Sequence, residues 1–85
     1  MSLIDIFRKN VKYYRFMQNY SQEKLGEESG LSTHYISDIE NGKYSPSITT
    51  IENIAKGLRI DSYLLFKHNP KANKLESRVD IHRKK

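Results

Sequence analysis

Apolar residues recur at intervals of three and four along most of this chain, a spacing that predicts helices rather than strands. Over residues 3–18, Ile4, Phe7, Val11 and Tyr14 line up on one face. Ser2 stands where an N-cap belongs, and Asp5 three residues later completes a capping-box pattern. Asn19 and Tyr20 make a turn. A second helix follows Ser21 and ends near Ser29 and Gly30, where glycine can take a left-handed cap. A third follows the N-cap residue Ser32 and ends at Asn41 and Gly42. Leu25, Leu31, Ile36 and Ile39 supply the contacts that fix the angle between these two helices. A loop over residues 42–47 is broken by Pro46. Ser47 then caps a fourth helix with Ile48, Ile51, Ile54, Ala55 and Leu58 on its apolar side. A fifth, short helix follows Asp61 and carries Leu64, Leu65 and Phe66, and Asn69 with Pro70 stops it. No strand is needed over residues 1–68. The expected fold class is all-α, a compact five-helix bundle.

The pattern changes near the C-terminus. Residues 1–68 read as one folded domain and residues 69–85 as a basic tail. Within the tail, Val79 and Ile81 alternate with Arg78, Asp80 and His82, a faint strand pattern. Two readings stay open: a disordered basic segment, as is common at chain ends, or an ordered arm.

At 85 residues the chain is near the small end for a core that stands alone, so dimerisation would help. It contains no cysteine, hence neither disulfides nor a thiolate metal site. Charges appear too early at the N-terminus for a signal peptide, and no apolar run approaches membrane-spanning length. A cytoplasmic location is expected.

The net charge of +5 invites a nucleic-acid reading, but its distribution moves the argument elsewhere. Residues 1–66 hold eight basic side chains and eight acidic ones. Residues 67–85 hold seven basic against two acidic, which accounts for the whole excess. If the body binds DNA, arrangement of charge must do it rather than bulk charge.

Two short helices joined by a tight turn over residues 21–41 suit the holding of a helix in the major groove. The stretch over residues 15–66 resembles the Xre/Cro-type helix-turn-helix family, with its lambda-repressor-like fold. The likeness rests on Tyr20-Ser21-Gln22-Glu23, Leu31-Ser32, Tyr35-Ile36-Ser37 and Ile39-Glu40-Asn41-Gly42-Lys43. Pro46-Ser47, Ile54-Ala55 and residues 61–65 extend it. The small size and the Tyr-Ile-Ser run are similar to the controller proteins of restriction–modification systems. Small phage, plasmid and antitoxin regulators are nearly as similar. The resemblance implies a homodimer that binds an inverted-repeat operator in double-stranded DNA and regulates transcription, with no cofactor.

Candidate chemistry follows from this placement. The start of the third helix should point into the groove. With Ile36 and Ile39 facing the core, Thr33, His34, Ser37 and Asp38 are left as base-reading candidates. The family often has Gln or Arg where this chain has Thr33 and His34, so the bidentate Arg–guanine contact is missing. His34 can donate to guanine, Thr33 can meet a base edge or a thymine methyl, and Asp38 can accept from cytosine N4. Phosphate contacts are expected from Ser21 and Gln22 at the start of the second helix, where backbone N–H groups favour an anion. Asn41, Lys43, Tyr44 and Ser45 in the following loop are candidates of the same kind, and Tyr35 either reaches a phosphate or packs on the bundle. By resemblance, Arg15 and Glu40 pair and orient the reading helix. Arg59, Leu64, Leu65 and Phe66 gather more apolar surface than one domain easily buries, which suggests a two-fold interface there.

Enzyme readings are rejected. His34, Ser37 and Asp38 lie on one short helix with no oxyanion site, and His34, His68 and His82 lack metal-ligand spacing. No glycine-rich phosphate loop is present. The alternative of a different class is an antitoxin-like interaction module whose tail, residues 69–85, binds a protein partner.

Overall fold

The computed structural model describes residues 2–75. Its helices are α1 (Leu3–Met17), α2 (Gln22–Ser29), α3 (Thr33–Glu40), α4 (Ile48–Leu58), a 3-10 helix (Ser62–Phe66) and α5 (Pro70–Leu75). No strand occurs among the described residues.

Serine starts each of the first four helices. The hydroxyls of Ser2, Ser21, Ser32 and Ser47 accept from the backbone N–H three residues on, that of Asp5, Lys24, Tyr35 and Thr50. Each bond satisfies one of the N–H groups that a helix start leaves without a partner. Gly30 ends α2 in the left-handed region at φ 73°, which lets the chain turn straight into α3. Gly26 serves a different need. A Cβ there would lie 2.6 Å from the carbonyl oxygen of Leu31, so only glycine lets α2 approach the turn so closely.

The apolar faces meet in one core. Phe7, Val11, Leu25, Ile36, Ile39, Ile54, Leu58 and Leu65 are all fully buried in it. α2 packs against both α3 and α4, and α1 closes the bundle across them. Gln18, just past α1, donates to the Leu58 carbonyl at the end of α4.

The C-terminal part departs from expectation in three ways. The fifth expected helix is a short 3-10 helix, and carbonyls at and just past its end accept from outside it. The buried Asn10 amide donates to Leu65 O at 3.0 Å and to Lys67 O at 2.9 Å. Asn69 and Pro70 do not simply stop a helix. Asn69 Oδ1 accepts from the Lys71 N–H at 3.0 Å, and Pro70 takes the first position of α5, where its missing N–H costs nothing. Ala72 and Leu75 of α5 are buried, and α5 packs on α1. The packed body therefore runs through Leu75, past the boundary expected at residue 68. The alternating pattern around Val79 and Ile81, and the rest of residues 76–85, lie outside the described residues. Among the described residues, no helix is long and apolar enough to cross a membrane.

Candidate nucleic-acid interface

α3 is held at one end and open at the other. At its start, Thr33 and His34 are exposed, and the His34 side chain is 88% accessible. One and two turns further on, Ile36, Ile39 and Glu40 are buried. The helix thus enters the core along its length and leaves its first turn outside.

The held end is a buried ion pair. Arg15 Nε and Nη2 meet the two Glu40 carboxylate oxygens at 2.7 and 2.9 Å. The two side chains are 0% and 4% exposed, so the charges are shielded from water. Arg15 also donates to the Tyr20 carbonyl at 3.0 Å and lies over the Phe16 ring. Gln22 adds a third donor, Nε2 to Glu40 Oε1 at 3.1 Å. One carboxylate therefore ties α1, the start of α2 and the end of α3 together. Burial makes each partner necessary, because a lone charge left there would be unpaired.

Asp38 is a correction. As a base reader it would need to face out, yet its side chain is only 8% exposed. The loop after α3 folds back over it, with the Lys43 N–H on the Asp38 carbonyl at 2.9 Å. Lys43 Nζ then sits 3.8 Å from Asp38 Oδ1, and His34 Nε2 lies 3.3 Å from Asp38 Oδ2. Asp38 is a base for its neighbours, not a free tip. Ser37 is half-buried, which leaves Thr33 and His34 as the outward pair.

The surrounding donors form two groups. Ser21 and Gln22 lie at the start of α2, although the Ser21 hydroxyl already accepts from Lys24 and one Gln22 amide proton goes to Glu40. The amide of Gln22 has a second N–H to offer. Asn41, Lys43, Tyr44 and Ser45 are exposed in the loop after α3. Tyr35 is half-buried, and its ring meets that of Tyr44 at 5.4 Å between centroids. This contact joins the loop after α3 to the first turn of the helix.

The residues expected to form a two-fold interface do not stay together. Leu65 is fully buried in the chain's own core and is corrected to a core residue. Phe66 is half-buried, stacks on Phe7 at 5.4 Å, and lines a groove with Leu3, Ile4, Pro46 and Ile51. Leu64 lines a separate depression with Tyr13, Tyr14 and His68. Arg59 is exposed and ends α4 in the left-handed region at φ 62°. Exposed apolar side chains lie at Leu3, Ile48 and Tyr63, positions the apolar count did not single out for an interface.

Two further residues were missed from sequence. Asn10 is polar and buried in the middle of α1, and its amide holds the 3-10 turn. Arg8 bonds Asp5 at 3.2 Å and reaches the Glu40 carbonyl at 3.5 Å. The spacing of Arg8 from Asp5 was the available signal for the first contact.

Comparison with known proteins agrees with this geometry. The sequence matches the helix-turn-helix family over residues 11–65. It is 38% identical over 61 residues to an HTH-type transcriptional regulator of Methanocaldococcus jannaschii, covering 69% of this chain and 92% of the relative. It is 38% identical over 58 residues to the control protein C.SmaI of Serratia marcescens, covering 68% and 69% of the two chains. Among solved structures, the hypothetical transcription factor NHTF from Neisseria superposes with a TM-score of 0.77 at 27% identity, over 87% of this chain and 85% of that one.

Proposed function

The chain belongs to the helix-turn-helix family and is a DNA-binding transcriptional regulator of the controller-protein type, and from that premise we propose that it binds an inverted-repeat operator as a homodimer, with α3 as the reading helix. The observation that carries the reading is the polarity of α3. Its first turn, Thr33 and His34, is exposed, while its last residue is fixed by a buried ion pair. A helix offered to the groove by its N-terminal turn has this form.

Ser21, Gln22, Asn41, Lys43, Tyr44 and Ser45 flank that turn on two sides and supply donors for phosphate. Such contacts set register, while Thr33 and His34 carry sequence information. With no Arg or Lys in the reading turn, discrimination per contact is modest. Two half-sites and DNA shape make up the rest. The exposed apolar side chains at Ile48 and Tyr63, together with Phe66 in its groove, favour pairing of two copies. A two-fold arrangement would place the two reading helices about 34 Å apart, one DNA turn.

Selection of bound sequences from random duplex DNA tests all of this together. The expected result is an inverted repeat with half-sites one turn apart. Enrichment of a single unpaired half-site would remove the homodimer, and no enrichment would remove sequence-specific reading.

A further inference from the structure

We propose that Arg8 is a positioning residue for the loop after α3, setting Asn41, Lys43, Tyr44 and Ser45 where they can meet phosphate; this rests on the reading of α3 as the groove helix. A helix leaves its last four carbonyls without partners of its own, and those of α3 each find one beyond it. The Ser37 carbonyl accepts from the Asn41 N–H at 3.0 Å. The Ile39 carbonyl accepts from the Gly42 N–H at 3.0 Å, and the Asp38 carbonyl from the Lys43 N–H at 2.9 Å. With Gly42 at φ 75°, these last two bonds make a Schellman helix end. The fourth carbonyl, that of Glu40, accepts from Arg8 Nη1 at 3.5 Å, across 32 residues of sequence. A cation at this place also meets the negative end of the α3 dipole.

The Arg8 side chain is itself directed. Its Nε donates to Asp5 Oδ1 at 3.2 Å, and its stem runs beneath Gly42. A Cβ on Gly42 would stand 3.0 Å from Arg8 Cδ and 3.3 Å from Nε, so glycine lets the loop lie directly on this side chain. The donors of the loop take their direction from that cap. Asn41 is the capping residue, and Lys43, Tyr44 and Ser45 follow Gly42 in order. The buried pair of Arg15 and Glu40 orients α3, whereas Arg8 orients what comes after it. Arg8 therefore serves phosphate contact through the loop and reads no base. Its loss weakens binding to all sequences alike, because phosphate contacts carry no sequence information.

The test compares the full chain with Arg8→Ala and with Arg8→Met, which keeps an aliphatic stem beneath Gly42 but removes the donors. Amide hydrogen exchange of the free protein reads the loop without DNA. In both variants the Gly42 and Lys43 N–H groups should exchange roughly three- to tenfold faster, the worth of one hydrogen bond. Binding to duplex DNA of random sequence, followed over a salt series, reads the phosphate contacts. The slope of log affinity against log salt should flatten by about one contact, while the bases selected by each variant stay those of wild type. Unchanged exchange at Gly42 and Lys43 would overturn the proposal. A flatter slope with unchanged exchange would also overturn it, since Arg8 would then touch phosphate itself. Faster exchange with an unchanged slope would overturn the link from loop to phosphate. A wild-type chain that binds no duplex would remove the groove reading, and exchange alone would then decide whether Arg8 holds the loop.

Discussion

The two ends of α3 are built on opposite principles. At the C-terminal end, Glu40 takes three side-chain bonds from Arg15 and Gln22 and sits almost out of water. At the N-terminal end, Thr33 and His34 are exposed, and the Ser32 cap secures the turn beneath them. The contrast separates two tasks that a reading helix must combine. Orientation is set deep in the protein by the buried pair of Arg15 and Glu40. Recognition is left to side chains whose loss costs the fold almost nothing.

That separation predicts a graded series of mutational effects. The largest should come from the held end. Arg15→Ala leaves Glu40 buried without its charged partner, a cost of ~3–5 kcal/mol. A domain of this size loses ~4–8 °C of Tm per kcal/mol, so thermal melting should fall by well over 10 °C. A near-unchanged Tm would mean that the pair does not hold α3. Next is Gly26→Ala, whose Cβ would press on the Leu31 carbonyl at 2.6 Å. Overpacking of that kind costs ~1–3 kcal/mol, and chemical denaturation would measure it. Ser32→Ala removes the cap of the open end and should cost ~1 kcal/mol by the same assay.

The smallest stability effects should lie at the exposed surface. Asp5 is one, its carboxyl held below the ordinary carboxylate range by its bond from Arg8 and then by Ser2. A lowered pKa means a stabilising contribution that is present above the ordinary value. It is lost as the pH falls through the folded value. The difference in Tm between wild type and Asp5→Asn should therefore be small at neutral pH and vanish in strong acid.

The same contrast explains what could be read from sequence. Helix starts were legible at Ser2, Ser21, Ser32 and Ser47, because capping depends on residues three apart. The core positions Phe7, Val11, Leu25, Ile36, Ile39, Ile54 and Leu58 followed from helical spacing. What escaped depends on chain segments far apart in sequence. Asp38 lies on the outer face by helical spacing from Ile36 and Ile39, and helical spacing does not show that the loop after α3 brings Lys43 back to it. Leu65 was assigned to an interface because apolar counting cannot tell how far a bundle closes over a short turn. The Asn10 bonds that close that turn span more than fifty residues. α5 was missed because Asn-Pro marks a helix stop and a helix start with the same two residues, and Ala72 and Leu75 are too few to show a period.

The central claim is that the exposed turn of α3 reads and the buried end only orients. The Thr33→Ala, His34→Ala double variant tests it most directly, with melting and DNA binding measured on the same preparation. The expected result is a stability within about 0.5 kcal/mol of wild type, as for surface positions, with sequence preference lost and weak non-specific binding retained. Unchanged preference for the selected operator would contradict the account.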